Sequence, residues 1–155
     1  MTVSIRLAGP ADAIALTDIY LACRREMNYA PLAHAEAEVR AWFAGTLLPS
    51  GGAWLAEQNG DIAGFAAASL QDDVLWLDQL YVSAGHRGAG VGGMLLQRLL
   101  SPPAPACRLF VFQANLSARR FYETHGFALL SLSDGQDNEE CCPDALYQRP
   151  PDAKE

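Results

Sequence analysis

The sequence has no long hydrophobic run and few basic residues, and each lack argues against a class of partner. Within its 155 residues, no apolar stretch approaches the ~20 residues that a membrane-spanning helix needs. Lys and Arg together number 11 against 18 Asp and Glu, which gives a formal net charge of −7. Nucleic-acid phosphates bind to clustered positive charge. We therefore expect neither a membrane nor a nucleic acid as partner.

Paired metal-ligand and disulfide motifs are also lacking. The four cysteines, at positions 23, 107, 141 and 142, contain no C-x-x-C spacing. The vicinal pair Cys141–Cys142 has poor geometry for a disulfide or a shared zinc ion, and the three histidines are scattered. We therefore predict free thiols and no metal site. Because the N-terminal residues show no basic stretch followed by an apolar one, we also expect a cytoplasmic location.

The remaining pattern predicts one α/β domain over residues 1–150, followed by a frayed tail over residues 151–155. Apolar periodicity gives the order β-α-α-β-β-β-α-β-α-β-β, which is typical of a mixed sheet with helices on both faces. Asn59-Gly60 predicts a tight hairpin turn, and the second helix is predicted over residues 35–48. Trp42 and Trp54 are expected in the core.

The stretch "HRGAGVGGMLL", residues 86–96, places four glycines within six positions. It follows a predicted strand and opens a predicted helix, an arrangement whose free backbone N–H groups bind anions, phosphate above all. A P-loop is excluded because Met94 and Leu95 stand where Lys and Ser or Thr are required. The dinucleotide fingerprint matches literally as Gly88-x-Gly90-x-x-Gly93, but it does not open the first strand–helix–strand unit, as that fold requires.

Longer stretches resemble the GNAT superfamily of N-acetyltransferases. "LYVSAGHRGAGVGGMLL" resembles the family's acetyl-CoA signature, whose core Gln/Arg-x-x-Gly-x-Gly/Ala extends here from Arg87 to Gly92. "NLSARRFYETHGF", residues 115–127, resembles the second family motif, and "WLAEQNGDIAGFAAA" resembles the second and third strands. The resemblance implies a GNAT fold, with a mixed, mostly antiparallel sheet of about six or seven strands that splays at the cofactor site.

The same resemblance implies acetyl-CoA as co-substrate and assigns residues to it. The backbone N–H groups of the glycine loop would surround the CoA diphosphate, and Arg87 would add positive charge, unless it only caps the loop. The preceding strand would offer its backbone to the pantetheine arm. Asn115 would hydrogen-bond that arm, cap the following helix, or do both. The implied cofactor-binding set is Leu80, Tyr81, Val82, Arg87, Gly88, Ala89, Gly90, Val91, Gly92, Gly93, Asn115 and Tyr122.

Attack of an amine on a thioester requires a base, a stabilised oxyanion and an acid for the departing thiolate. The resemblance makes Tyr122 the general acid, with a plain core aromatic as the alternative. Asp78 is the candidate base, with a structural acid, or a water chain and no dedicated base, as alternatives. Since side chains alternate along a strand, only one of Asp78 and Gln79 is expected to face the cleft.

The acceptor pocket of this family usually forms between the first two helices and the last hairpin, which here means residues 24–34 and 134–144. Tyr29 and Trp76 are the candidate aromatic walls of that pocket. Glu139 and Glu140 are candidates to hold an ammonium group, unless they belong to a solvated acidic loop.

Taken together, these features predict an acetyl-CoA-dependent N-acetyltransferase that moves an acetyl group to a primary amine by direct attack in a ternary complex. A small-molecule amine is favoured, and a protein N-terminus or lysine is the alternative acceptor. The competing classes are a non-catalytic acyl-CoA-binding sensor or interaction module and, more distantly, a nucleotide-dependent oxidoreductase. The sequence leaves open whether the protein is a homodimer.

Overall fold

The computed structural model describes residues 2–153 and contains one seven-stranded sheet. Its strands are β1 (Val3–Leu7), β2 (Ala53–Gln58), β3 (Asp61–Gln71), β4 (Val74–Val82), β5 (Ala106–Phe112), β6 (Ala128–Ser133) and β7 (Asp144–Arg149). Its α-helices are α1 (Ala13–Arg25), α2 (Glu36–Trp42), α3 (Val91–Leu99) and α4 (Leu116–Thr124). The predicted order of elements is confirmed. None of the helices in residues 2–153 is long and apolar enough to cross a bilayer.

The strand order is β1-β2-β3-β4-β5-β7-β6. Every neighbouring pair is antiparallel except β4 and β5, which run parallel. Those two strands pair only where Val74–Trp76 meets Ala106–Arg108, and beyond that point they diverge. The sheet is therefore mixed, mostly antiparallel and split near its middle, as predicted.

Two apolar cores cover the two faces of the sheet. On one face, α3 and α4 pack their apolar sides over the strands, with Leu95 and Tyr147 fully buried. On the other face, α1 and the segment that follows α2 pack over β2 and β3, with Phe43 and Phe65 fully buried. Burial of apolar surface on both faces is the main force that holds the helices against the sheet. It also fixes α1 and α3 on opposite sides.

The second helix is shorter than predicted. Regular α-helix ends at Trp42, a wider turn covers Phe43–Leu47, and a tight turn covers Leu48–Ser50. Pro49 accounts for the tight turn at the end, because it has no N–H to donate to the Gly45 carbonyl one helical turn earlier.

The two tryptophans expected in the core are not fully buried. The side chain of Trp42 is 41% exposed, because Phe43 occupies the adjacent inward position and the indole packs edge-on against that ring. Trp54 is half-buried, and the guanidinium of Arg98 lies 4.6 Å from its ring centre. The core prediction is wrong for Trp42 and only partly right for Trp54.

Candidate active site

A cleft opens where β4 and β5 diverge. It has a volume of about 980 Å³ and is walled by the second half of β4, the end of β5, the C-terminal half of α1, α4 and the loop between β6 and β7. Because the hydrogen-bonded ladder between β4 and β5 ends here, the cleft reaches into the plane of the sheet itself. Cavities of this size and position are common ligand sites in α/β proteins.

A β-bulge in β4 shapes one wall of the cleft. Ala67 of β3 pairs with Gln79, whereas the next residue, Ala68, pairs with Leu77, so Asp78 is the extra residue of the bulge. A bulge interrupts the strict alternation of side chains. Both Asp78 and Gln79 therefore line the cleft, and the expectation that only one of them would do so is wrong.

The Asp78 carboxylate has one direct partner across the hairpin. Its Oδ2 accepts a hydrogen bond of 2.8 Å from the Ser69 hydroxyl. Partial burial against the cleft walls raises the pKa of the Asp78 carboxyl, and the hydrogen bond from Ser69 opposes that rise. The net direction is upward, so this carboxyl holds its proton to a higher pH than an ordinary aspartate.

The end of β4 turns backbone groups toward the cleft. Ser83 N–H donates to the Ala63 carbonyl at 2.8 Å. Since ladder bonds alternate along an antiparallel strand, the groups of Leu80 and Val82 point away from β3 and into the gap. The Val82 carbonyl already accepts from Arg87 Nε at 3.1 Å and from Cys23 Sγ at 3.4 Å. The groups available to a ligand are the Leu80 N–H, the Leu80 carbonyl and the Val82 N–H.

Tyr81 borders the cleft in a different way from Leu80 and Val82. It pairs with Phe65 in the register that directs its backbone toward β3. Its ring packs edge-on against Tyr20 of α1, with centroids 5.2 Å apart. Tyr81 thus lines the cleft with its side chain and not with free backbone groups.

The glycine loop has the backbone of an anion site. Gly88 and Gly90 both have φ +82°, a left-handed conformation that side chains strongly disfavour. Gly90 caps α3, and the Met94 N–H donates to its carbonyl at 3.1 Å. The three N–H groups before Met94, those of Val91, Gly92 and Gly93, have no acceptor within the helix. They emerge at the positive end of the α3 dipole.

The last two glycines also allow two helices to approach closely. A Cβ atom on Gly92 would lie 3.4 Å from Phe121 of α4, and one on Gly93 would lie 3.2 Å from His125 Nε2. Both positions therefore have a packing role beside the one predicted. Close contact between α3 and α4 holds the start of α3 beside the cleft.

Arg87 is held by α1 and does not extend freely along the glycine loop. Its Nη1 and Nη2 donate to the two carboxylate oxygens of Glu26, each at 2.9 Å, and Nη2 also lies 3.3 Å from Cys23 Sγ. The Arg87 guanidinium holds the pKa of the Glu26 carboxyl below its usual range. In this arrangement Arg87 joins the end of β4 to α1, and its charge is already paired.

Tyr122 lies in the floor of the cleft. Its side chain is 8% exposed and packs edge-on against Phe121 and Phe127, with centroids 5.3 and 5.7 Å apart. Burial raises the pKa of the Tyr122 hydroxyl far above its usual range, because the phenolate would be poorly solvated. The residue borders the cleft and keeps its proton at neutral and moderately alkaline pH.

Asn115 borders the same cleft and caps α4. Its Oδ1 accepts from the Ala118 N–H at 3.2 Å and from the Ser117 hydroxyl at 3.3 Å. The cap uses only the carbonyl oxygen of the side chain. The side-chain NH₂ is a separate donor group, so capping and ligand binding are compatible at this residue.

Of the four residues predicted for the acceptor pocket, the structure brings two to the cleft. Tyr29 and Glu140 line it, and the Tyr29 ring packs edge-on against Phe112 at 6.0 Å. Glu139 lies outside the lining and pairs with His34, whose Nε2 is 3.0 Å from its carboxylate. Trp76 also lies outside the lining, and its ring is stacked on Phe110 with centroids 5.6 Å apart.

Arg24 begins the stretch predicted for the acceptor pocket, residues 24–34, but sequence reasoning gave it no role of its own. This arginine lines the cleft, is 3% exposed, and lies 5.5 Å from the Phe112 ring centre. The sequence did carry a signal that Arg24 is buried. It follows Tyr20 by four residues, about one helical turn, and therefore lies on the apolar side of α1. Among residues 2–153, no group of three or more His, Cys, Asp or Glu side chains is placed to hold a metal ion.

The sequence matches known proteins over the region that builds this cleft. Residues 14–127 match the acetyltransferase (GNAT) family. Over 78 residues the chain is 36% identical to a probable N-acetyltransferase of Mycobacterium tuberculosis, a match that covers 48% of this chain and 45% of that protein. Over 84 residues it is 32% identical to N-alpha-acetyltransferase 40 of Saccharomyces cerevisiae, covering 47% of this chain and 30% of that protein. Each match thus spans less than half of the relative.

Solved structures share the whole fold at low sequence identity. A GNAT-family acetyltransferase of Bacillus cereus has a TM-score of 0.78 and 16% identity, over 99% of this chain and all of that one. The yncA protein of Salmonella typhimurium, solved with its cofactor acetyl-CoA, has a TM-score of 0.77 and 20% identity over 100% and 97% of the two chains. The paia N-acetyltransferase of Thermoplasma acidophilum, solved with coenzyme A, has a TM-score of 0.72 and 17% identity, over 97% of this chain and 99% of that one.

These likenesses confirm the predicted fold. The sequence match extends from α1 through β4, the glycine loop and α4, which build most of the cleft, whereas the loop between β6 and β7 lies beyond the match. The chain belongs to the acetyltransferase (GNAT) family.

Proposed function

We propose that the protein is an acetyl-CoA-dependent N-acetyltransferase that transfers an acetyl group to a primary amine, with a small-molecule amine as the favoured acceptor. The observation that carries the proposal is the coincidence of three features in one cleft: an anion-binding helix start, an unpaired strand edge and a buried tyrosine hydroxyl. Family membership supports the same reaction.

The donor set of the cleft fits acetyl-CoA. Its diphosphate needs several N–H donors at a positive potential, which the start of α3 offers. Its arm is extended and carries amide groups, and these match the Leu80 N–H, the Leu80 carbonyl and the Val82 N–H along the open edge of β4. We assign Asn115 as a further donor to the arm. When bound, acetyl-CoA supplies an acetyl group activated as a thioester.

Tyr122 is assigned as the general acid. Its hydroxyl is protonated because burial disfavours the phenolate, so it retains a proton to donate to a departing thiolate. When the C–S bond breaks, the hydroxyl gives its proton to the CoA thiolate, and the phenolate left behind is reprotonated by solvent or by the proton that the base took from the ammonium group. Its place in the cleft wall supports this role.

Asp78 is assigned as the general base. An acceptor amine arrives as an ammonium ion and must lose a proton before it attacks. The raised pKa of the Asp78 carboxyl brings this base closer to neutral pH, which increases its strength. Ser69 fixes the orientation of the carboxylate through its hydrogen bond.

Acidic side chains in the acceptor part of the cleft support an amine substrate. Asp137, Glu140 and Asp144 line the wall contributed by the loop between β6 and β7. Negative potential in a cleft attracts a cation and raises its local concentration. This part of the proposal extends the predicted role of Glu140 to two neighbouring carboxylates.

A protein N-terminus is the second candidate acceptor. One observation favours it, the 32% identity over 84 residues to N-alpha-acetyltransferase 40 of yeast. A peptide substrate would enter with its terminal ammonium group and leave the rest of the chain outside the cleft.

A thiol-release assay over an amine panel tests the proposal. The panel contains small amines and short peptides, and acetyl-CoA is the donor. We expect CoA release that depends on an amine and is faster with small amines. Thermal-shift titrations with acetyl-CoA, CoA, NAD and ATP accompany it. Stabilisation by CoA without turnover on any amine would indicate a sensor. Stabilisation by NAD but not by CoA would overturn the assignment of the cleft to acetyl-CoA.

A further inference from the structure

We propose that Arg24 binds a carboxylate of the acceptor, so that the substrate is an amine that also carries a carboxylate group, as an amino acid does. This inference rests on the proposed function and names the substrate class of the same cleft.

The guanidinium of Arg24 is buried and only partly satisfied. Its side chain is among the few charged groups in the core, at 3% exposure. Nη2 donates to the Ala30 carbonyl at 3.0 Å, while Nη1 is buried and has no hydrogen-bond partner. No carboxylate among residues 2–153 forms an ion pair with it. Buried charges in proteins are normally paired, so the site is incomplete without an anion.

Other arginines around α1 show what a completed pair looks like in this protein. Arg25, the next residue, pairs with Glu36 at 2.7 Å, and Arg87 is paired with Glu26 through both of its terminal nitrogens. Both are far more exposed than Arg24. Of these three arginines, Arg24 is the least exposed and the one without a carboxylate partner.

The position of Arg24 separates its anion from the diphosphate site. Arg24 lies on α1, and the glycine loop opens α3 on the opposite face of the sheet. The Arg24 guanidinium lies over Phe112, whose ring also contacts Tyr29, and all three residues line the cleft. An anion bound to Arg24 would therefore lie in the acceptor part of the cleft.

The charges around Arg24 fit an acceptor with groups of both signs. Asp78, Asp137, Glu140 and Asp144 line the same cleft, and they favour an ammonium group. Arg24 provides a planar pair of donors that matches the geometry of a carboxylate. An amine without an acidic group would leave this cation unpaired on binding. An amine with a carboxylate would satisfy both sets of charges at once.

The test uses matched pairs of acceptors that differ only in this group. Alanine, methionine, phenylalanine and 4-aminobutyrate are each compared with their carboxamides, by thermal shift in the presence of CoA and by thiol release with acetyl-CoA. The wild type is compared with Arg24→Gln, with Arg24→Lys, which keeps the charge, and with Arg25→Gln as a control on the same helix. Comparison of acid-to-amide ratios between variants cancels the different basicity of the two amines.

We expect at least one acid to be preferred over its amide by about 10- to 100-fold in the wild type and in Arg25→Gln. The reason is that the acid forms a hydrogen-bonded charge pair with Arg24, and the neutral amide does not. Arg24→Gln should abolish the preference, and Arg24→Lys should retain part of it. If Arg24→Gln does not fold, the acid-to-amide ratios of the wild type and of Arg24→Lys test the inference. No preference for any acid in the wild type, or an equal preference in Arg24→Gln, would overturn the inference.

The two proposals fail in different ways. Turnover with amides or peptides and no preference for acids would leave the acetyltransferase standing and remove the role of Arg24. Carboxylate-dependent stabilisation that is lost in Arg24→Gln, without turnover on any amine, would support the binding site and contradict the enzyme.

Discussion

Burial raises the pKa of the two residues assigned as acid and base in the proposed reaction. In Tyr122 the consequence is that the hydroxyl keeps its proton, and in Asp78 the consequence is that the carboxylate becomes a stronger base. The same physical cause, poor solvation of the charged form, thus suits both an acid and a base. Neither shift is visible in the sequence, because each depends on walls that come from distant parts of the chain.

Replacement of Tyr122 by Phe removes the proposed acid and keeps the packing of the ring. We expect kcat to fall by about 100-fold, with unchanged acetyl-CoA affinity in a thermal-shift titration. Tyr147→Phe is the matched control, because that buried hydroxyl bonds to Glu123 at 2.8 Å and does not line the cleft. Tyr147→Phe should have a lower melting temperature than the wild type and an unchanged kcat. Unchanged turnover in Tyr122→Phe would remove the acid role.

The hydrogen bond from Ser69 gives a way to shift the proposed base without removing it. That bond lowers the pKa of the Asp78 carboxyl, so Ser69→Ala should raise it. Since activity requires the deprotonated base, the acidic limb of the kcat/KM profile should move to higher pH in Ser69→Ala. Asp78→Asn should lower kcat/KM by about 100-fold. A profile that is the same in the wild type and both variants would favour a water chain as the base.

At the scale of elements, β4 combines the most predictable and the least predictable features of the molecule. Its bounds, Val74–Val82, follow from a run of β-branched and aromatic residues. Its bulge at Asp78 could not be placed from the sequence, because two adjacent polar residues, Asp78 and Gln79, interrupt the apolar run there and pairing with β3 decides the register. The prediction ended the second helix at residue 48, before Pro49, and the change from regular helix to a wider turn over Phe43–Leu47 was not predicted from the apolar spacing.

The start of α3 is the second element that sets the site, and Gly90 tests it. At φ +82°, Gly90→Ala should cost about 1–2 kcal/mol of stability and weaken acetyl-CoA binding by up to about tenfold, since 1.4 kcal/mol corresponds to that factor. Gly85→Ala is the control, because a Cβ meets nothing within 4 Å at either position and Gly85 does not have a positive φ. Isothermal titration and thermal unfolding of both variants measure the effects. Equal affinity of Gly90→Ala and Gly85→Ala would contradict the role of the loop backbone.

At the scale of the whole molecule, local motifs predicted the family and the cofactor side of the cleft, and long-range contacts decided the rest. The glycine loop, Asn115 and Tyr122 lie in continuous motifs, and the fold brings Asn115, Tyr122 and, from the loop, Arg87 and Gly92 to one cleft. The pairing of Arg87 with Glu26 spans 61 residues, and Glu139 pairs with His34 across 105 residues. Such partners cannot be inferred from spacing along the chain. The same holds for Arg24, whose unpaired state is a property of the folded core.

A crystal structure with bound acetyl-CoA tests the central claim most directly. The account predicts the diphosphate against the N–H groups that begin α3, and the extended arm between β4 and β5, in contact with the backbone of Leu80 and Val82. It also predicts the thioester beside the Tyr122 hydroxyl. Acetyl-CoA bound on another surface, with the gap between β4 and β5 empty or filled by side chains, would contradict it.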